Sequence, residues 1–346
     1  MPGNDVTKGI IESLALAVKG ESEKARTTEE REQTKDTDDL NIQSKPSIKE
    51  VVEQDSLNDL SEEVFTEFKQ PFGYEELPEW LRSNEYVRHG YRHQIKSVVA
   101  CFKTIFSRHN ETGNIWTHLI GTLMFSVYLV GFAYQYLGII PFLDYLAIMF
   151  FFVGAILCFF LSTLYHTLMC HSEALVNAFA RLDYIGINIL ITCSHIPWIY
   201  YSFYCRKRIR NTYVATLLLS SVLIALCSLY DRFGEADSRG FRSGIFGCFA
   251  VFSIIPAIHL VYLDGLQLAY NQAALGWLML MFSVYFVGAT LYTSRFPERY
   301  RPGYFDIFFQ SHQLMHVCTV LGSYLHMHVI HKLMSYRMET GPCIVD

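Results

Sequence analysis

Residues 145–172 read YLAIMFFFVGAILCFFLSTLYHTLMCHS, 28 positions without an Asp, Glu, Lys or Arg. An α-helix rises 1.5 Å per residue and satisfies its own backbone, so about 20 mostly apolar residues cross a hydrocarbon core of ~30 Å. This stretch is long enough to do so, and it carries Ser162 and His166 near its end. Six further uncharged gaps run over 112–143, 184–205, 211–230, 243–263, 265–294 and 307–331, the shortest of 20 residues and the longest of 32. Seven such stretches leave too little polar sequence between them to coat the buried helices of a soluble protein. The reading is an all-α membrane protein with seven transmembrane helices over residues 112–333.

The flanking sequence has another character. Of 346 residues 51% are hydrophobic and 18% charged, yet residues 1–80 hold 9 Lys and Arg against 20 Asp and Glu, a balance of −11. Residues 81–346 hold 19 against 13, a balance of +6. So sparse a charge excludes a water-soluble surface, which is about a quarter to a third charged. A net charge of −5 without a groove-reading motif excludes a nucleic-acid binder. The opening MPGNDVTKGIIESLALAVKG has an acidic residue before a short apolar run and does not read as a cleavable signal peptide. Residues 20–70 are polar, acidic and almost free of aromatics, a composition that cannot bury enough apolar surface to fold. Residues 1–75 are therefore read as a disordered acidic cytosolic tail. In 76–111 aromatic and basic residues interleave, and Val98, Cys101, Phe102, Ile105 and Phe106 recur at helical spacing opposite the lysines, as in an amphipathic helix on the cytoplasmic face. Residues 334–346 are read as a short extracellular tail.

Basic residues close to the spans set the orientation. With the N-terminus inside, the cytoplasmic side collects Arg92, Lys96, Lys103, Arg108, Arg181, Arg232, Arg239, Arg242, Arg295, Arg299 and Arg301. The opposite side collects Arg206, Lys207, Arg208, Arg210, Lys332 and Arg337, so the third loop dissents from the majority. The chain is read as having an intracellular N-terminus and an extracellular C-terminus. The sequon Asn110-Glu111-Thr112 then faces the cytosol and carries no glycan.

Span geometry sorts the 13 histidines. His166 ends the second gap, while His312 and His316 begin the seventh in QSHQLMH. Alternate spans run in opposite directions, so these positions share one leaflet, and Asp183 in RLDYIGI falls at that depth too. Residues four apart stack on one helix face with a rise of ~6 Å, so His312 and His316 can share a metal with a third histidine from another span. Three histidines and a water make the open tetrahedral site of a catalytic zinc. The motif lacks the Glu of a metalloprotease HExxH, since its second position is Gln313, so another carboxylate must handle the water's proton. Asp183 is the carboxylate at that depth, and Ser162, one turn before His166, is the nearest hydroxyl. The plain alternatives stand beside these: interhelical hydrogen bonds for the histidines, a helix cap or an ion pair with Arg181 for Asp183, and helix packing for Ser162. His118, His195, His259, His326, His328 and His331 are read as packing or interface residues. The nine cysteines, without CxxC pairs, are read as packing residues and not as a disulfide framework.

The strings RHNETGNIWTHL, YHTLMCHSE, LDYIGI, IPWIYYSFYC, DRFGEADSR and RFPERYRPGYFDIFFQSHQLMH, spread in order from about Pro78 to His331, resemble the adiponectin receptors, of the progestin and adipoQ receptor family within the hemolysin III superfamily. The resemblance implies seven spans with the same orientation. It also implies a zinc ion (Zn2+) on His166, His312 and His316 in the cytoplasmic half of the bundle, with Asp183 contacting the water on it and Ser162 completing an SxxxH pattern. It further implies a multi-pass plasma-membrane protein regulating lipid metabolism, covering fatty-acid oxidation, glucose handling and membrane lipid composition. The implied chemistry is zinc-dependent hydrolysis of a lipid amide such as ceramide. The partners implied are an extracellular adiponectin-like protein ligand, a membrane lipid substrate (ceramide or fatty acid), a cytosolic adaptor reached through the N-terminal region, and a second copy in a homo-oligomer. A hormone receptor or membrane-homeostasis protein with a structural zinc and no hydrolase activity is the alternative. A G-protein-coupled receptor is disfavoured by the orientation and by the absence of DRY-like and NPxxY-like strings. The first 70 residues, the tail METGPCIVD and the basic third loop CRKRIRN depart from the family pattern, which leaves the outer ligand open.

Overall fold

The computed structural model describes residues 73–230, 238–252, 254–341 and 343. The acidic tail, up to residue 72, and Arg232 of the charge count lie outside the described residues. Among the described residues the regular structure is helical. A short helix α1 (Val98–Lys103) precedes α2 (Thr112–Tyr136), α3 (Phe142–Leu168), α4 (Glu173–Ser202), α5 (Lys207–Ser228), α6 (Arg239–Val251), α7 (Ile254–Asp264), α8 (Leu266–Gln272), α9 (Leu275–Ser294) and α10 (Ser311–Thr340). Six spans are long and apolar enough to cross a membrane: α2, α3, α4, α5, the run Arg239–Asp264 that joins α6 and α7, and α9. The chain is a membrane protein with multiple spans. The seventh gap forms α10, 30 residues long, but five histidines, Gln313 and Lys332 make it less apolar than the other six.

Local chemistry sets the helix ends. Pro141 precedes α3, where the missing N–H of a proline costs nothing. Ser172 caps α4, its side chain accepting from the Leu175 amide. The helix α10 is capped from a distance: the Glu298 carboxylate, fully buried, accepts from the Ser311 amide at 2.8 Å and from the Ser311 hydroxyl, and also from Asn84 at 3.1 Å. An anion at a helix N-terminus takes up otherwise unpaired amides and meets the positive end of the dipole. This cap fixes the turn that carries His312.

The packing runs α2 on α3, α3 on α4, α4 on α5 and α9 on α10, with α10 also touching α2 and α4. Phe125, Phe151, Phe159, Trp198, Ile199 and Val329 are buried in the resulting core. Leu219, Val222, Leu223 and Leu226 of α5 and Met279 and Val287 of α9 point outward and are exposed, the pattern of a surface facing lipid. Small residues let the helices approach. A Cβ at Gly113 would overlap the Gln313 side chain, so α2 and α10 meet closely at the end where the site lies.

One reading changes here. The nine cysteines do not all serve packing: Cys205, after α4, and Cys343, beyond α10, form a disulfide across 138 residues, a pairing that no local spacing announces. The last helix runs to Thr340. The juxtamembrane helix is short, Val98–Lys103 followed by a 3-10 turn over Thr104–Phe106, and buries Cys101 while Val98, Phe102 and Phe106 stay exposed.

Candidate metal centre

His166 comes from the last turn of α3 and His312 and His316 from the first turns of α10, and their ligand nitrogens all lie within 4.8 Å of one another. The ring centroids are 4.9 Å (His166 to His312), 5.0 Å (His166 to His316) and 4.7 Å (His312 to His316) apart, with planes at 77°, 72° and 88°. Three rings mutually near-perpendicular converge on one point instead of stacking. His166 and His316 are almost wholly buried.

Hydrogen bonding fixes which nitrogens face inward. His166 Nδ1 lies 2.8 Å from Glu111 Oε2, so the Nδ1–H donates to the carboxylate. The Glu111 carboxylate also accepts from Asn114 Nδ2 at 2.6 Å and from Asn110 Nδ2 at 3.1 Å. Burial pushes the Glu111 carboxyl up, but the bonds from His166 and Asn114 outweigh it and hold it below the usual carboxylate range. His316 Nδ1 lies 3.2 Å from the Asn114 carbonyl, which it meets as an N–H donor. His166 Nε2 is then left buried with no hydrogen-bond partner. A buried unpaired imidazole nitrogen is costly unless it binds something. A carboxylate on the far nitrogen of a histidine is the usual support of a metal ligand. The donor set, three imidazoles whose ligand nitrogens lie within 4.8 Å of one another, fits a zinc ion.

Asp183 on α4 and Ser162 on α3 line the same cavity as the three histidines, and both are buried. Asp183 is close enough to His166, Ser162 and Arg242 to interact with each. The cavity holds about 730 Å³. Its walls are apolar along Phe246, Val251, Phe282 and Phe286, and Glu79, Trp80 and Arg82 reach its edge from the juxtamembrane segment. Polar groups at one end and a long apolar wall suit an amphipathic ligand.

The residues that sequence reading missed are Glu111, Asn114 and His118. Glu111 appears in the sequence only as the middle of a sequon, and Asn110 is buried against it. His118, read as a packing residue, lies flat on His316 with centroids 3.6 Å apart and planes within 5°. Spacing offered one signal: Glu111, Asn114 and His118 recur at helical intervals toward one face of α2. His195, His259 and His326 do as read, bonding the Ile191 carbonyl, the Tyr213 hydroxyl and the Ser194 carbonyl between and within helices. Gln313, where HExxH has its base, donates to the Ile307 carbonyl at 2.8 Å and to the Asn110 carbonyl at 3.2 Å, and so acts as a brace.

Residues 106–327 match the family model "Haemolysin-III related". The chain is 44% identical over 266 residues to "Progestin and adipoQ receptor-like protein 1" of Caenorhabditis elegans and 40% identical over 272 residues to "Adiponectin receptor protein" of Drosophila melanogaster, covering 77% and 79% of this chain. It spans 61% of the length of each of these two relatives. It is 34% identical over 275 residues to "ADIPOR-like receptor IZH2" of Saccharomyces cerevisiae, covering 78% of this chain and 87% of that relative.

Proposed function

This chain belongs to the Haemolysin-III related family, and from that footing we propose that it is an adiponectin-receptor-like zinc protein that hydrolyses a lipid amide such as ceramide. The observation that carries this reading is the unpartnered His166 Nε2, buried and turned toward His312 and His316 while Glu111 holds the opposite nitrogen. Zinc bound there would supply Lewis-acid polarisation of the amide carbonyl and an acidified water. Asp183, lining the same cavity, takes up the water's proton and returns it to the leaving amine. Ser162, a buried hydroxyl beside Asp183, orients that carboxylate or the substrate head. The apolar wall at Phe246, Phe282 and Phe286 takes the acyl chain. Downstream, such an activity regulates fatty-acid oxidation and membrane lipid composition.

The proposal places α10 as the seventh span, the N-terminus in the cytosol, the C-terminus outside and the protein in the plasma membrane. Two observations support the orientation. The disulfide Cys205–Cys343 ties the third loop to the chain beyond α10, and disulfides persist in oxidising compartments. The dissenting basic charge of that loop is also partly spent on local partners. Arg206 pairs with Asp264 and Arg210 lies over the Tyr200 ring at 4.7 Å, while Arg337 of α10 lies over the Tyr204 ring at 4.0 Å. The extracellular face then receives an adiponectin-like protein ligand, and the N-terminal region a cytosolic adaptor.

Metal analysis of the purified protein together with a ceramide hydrolysis assay tests the reading. Near-complete burial of His166 and His316 favours a second one, a structural zinc bracing α3 against α10 in a receptor without hydrolase activity. Asp183→Asn separates the two: retained zinc with lost turnover supports catalysis, and retained zinc with unchanged turnover removes Asp183 from the mechanism.

A further inference from the structure

Two cysteines outside the metal centre face each other. Cys101 on α1 and Cys170, in the turn after α3, have their sulfurs 3.6 Å apart and unbonded. Both are buried, in a small cluster with Leu168 and against Ile95, Leu175 and Phe179. The pair sits before the start of α4, whereas Cys205 lies after its end; 30 helical residues rise ~45 Å, so the thiol pair and the disulfide are far apart. We infer that Cys101 and Cys170 are a peroxide-sensitive dithiol that closes to a second, reversible disulfide between the juxtamembrane helix and the helix carrying His166.

The chemistry around the pair supports this. Cys101 S–H reaches the Ile95 carbonyl at 3.5 Å and Cys170 the Thr167 carbonyl at 3.7 Å, so each sulfur is held by its own segment while facing the other. The bond between the two sulfurs, helped by the Arg92 guanidinium and opposed by burial, lowers the Cys170 thiol and raises that of Cys101. Arg92 is buried and donates to Thr104 Oγ1 at 2.9 Å, the Thr167 carbonyl at 3.0 Å and the His166 carbonyl at 2.5 Å. The Arg92 charge beside the pair favours thiolate at Cys170. The other buried thiol of α3, Cys158, has no sulfur partner.

The Cys170 thiolate attacks one oxygen of hydrogen peroxide, forming an S–O bond as the O–O bond breaks, and the departing hydroxide takes a proton to become water. Cys101 then attacks the sulfenic sulfur, the S–S bond forms, the S–O bond breaks, and the oxygen leaves as a second water with the Cys101 proton. Two thiols are oxidised by two electrons, and one peroxide is reduced to two waters. The sulfurs must close from 3.6 Å to ~2.05 Å, within the reach of a side-chain rotation. The crosslink fixes α1 four residues beyond His166.

The test is peroxide titration of the purified full chain in detergent, followed by alkylation, non-reducing digestion and mass spectrometry. The expected result is a linked Cys101–Cys170 peptide with both of these thiols lost to alkylation, reversed by dithiothreitol. Cys101→Ser and Cys170→Ser each abolish the link, and Cys158→Ser leaves it. The exposed Cys227 and Cys248 report that the peroxide dose was effective. Oxidation of those two while Cys101 and Cys170 stay reduced overturns the inference. So does a Cys170 sulfinic acid without a link.

Discussion

Glu111 Oε2 accepts the Nδ1 proton of His166 at 2.8 Å and thereby decides which face of that imidazole is offered to the centre of the site. The carboxylate comes from the turn before α2 and the histidine from the end of α3, 55 residues later, so two elements set one tautomer.

Replacing Glu111 with Gln keeps the size of the side chain but removes the anion. Loss of such a support costs about 10–100-fold in metal affinity. The expectation is a drop of that size in zinc affinity with little change in helix content, measured by competition with a chromophoric chelator. Unchanged affinity would show that the carboxylate does not orient His166.

The flat stack of His118 on His316 carries a second prediction, because neither ring nitrogen of His118 has a partner. A ring that only packs can be exchanged for another ring. His118→Phe should keep zinc and melt within the range of ~1.5 kcal/mol typical of volume-conserving swaps. His118→Ala should cost about 2–5 kcal/mol through the cavity it leaves. Loss of zinc in His118→Phe would instead make His118 a ligand.

Gly113 supplies a test of helix approach. Its missing Cβ makes room for Gln313, which sits between His312 and His316. Gly113→Ala should destabilise the protein by about 1–3 kcal/mol through overpacking. Pairing it with Gln313→Ala should recover part of that loss, read as thermal melting in detergent.

His109 predicts an acid-side slope. It is buried, its Nε2–H meets the Thr104 carbonyl at 3.0 Å, and its Nδ1 accepts from the Glu111 amide at 3.1 Å, so the neutral ring is the one that fits. Burial, then the Arg92 charge, lowers its pKa from 6.5 to about 3. The unfolded chain takes up this proton near pH 6.5 and the folded chain only near pH 3. His109 therefore contributes its full stability above pH 6.5, and this falls by up to about 1.4 kcal/mol per pH unit as pH drops toward 3. Melting temperatures between pH 7.5 and 5 should fall more steeply for the native chain than for His109→Gln.

The sequence by itself determined the helical class, the multiple membrane spans and the end of the bundle at which the histidines meet. These follow from short-range quantities: the length of an uncharged run, the four-residue stack of His312 on His316, and the alternation of span direction. The apolar criterion picks out six spans and not α10, because the histidines and Gln313 that build the site are the residues that dilute its hydrophobicity. Only the tertiary structure decided the rest. Glu111 reaches His166, Glu298 caps the helix of His312, His118 lies on His316, and Cys205 finds Cys343, each joining segments that no local period connects. Such pairings depend on how helices pack in three dimensions, and a periodicity read along one helix carries no information about its neighbour.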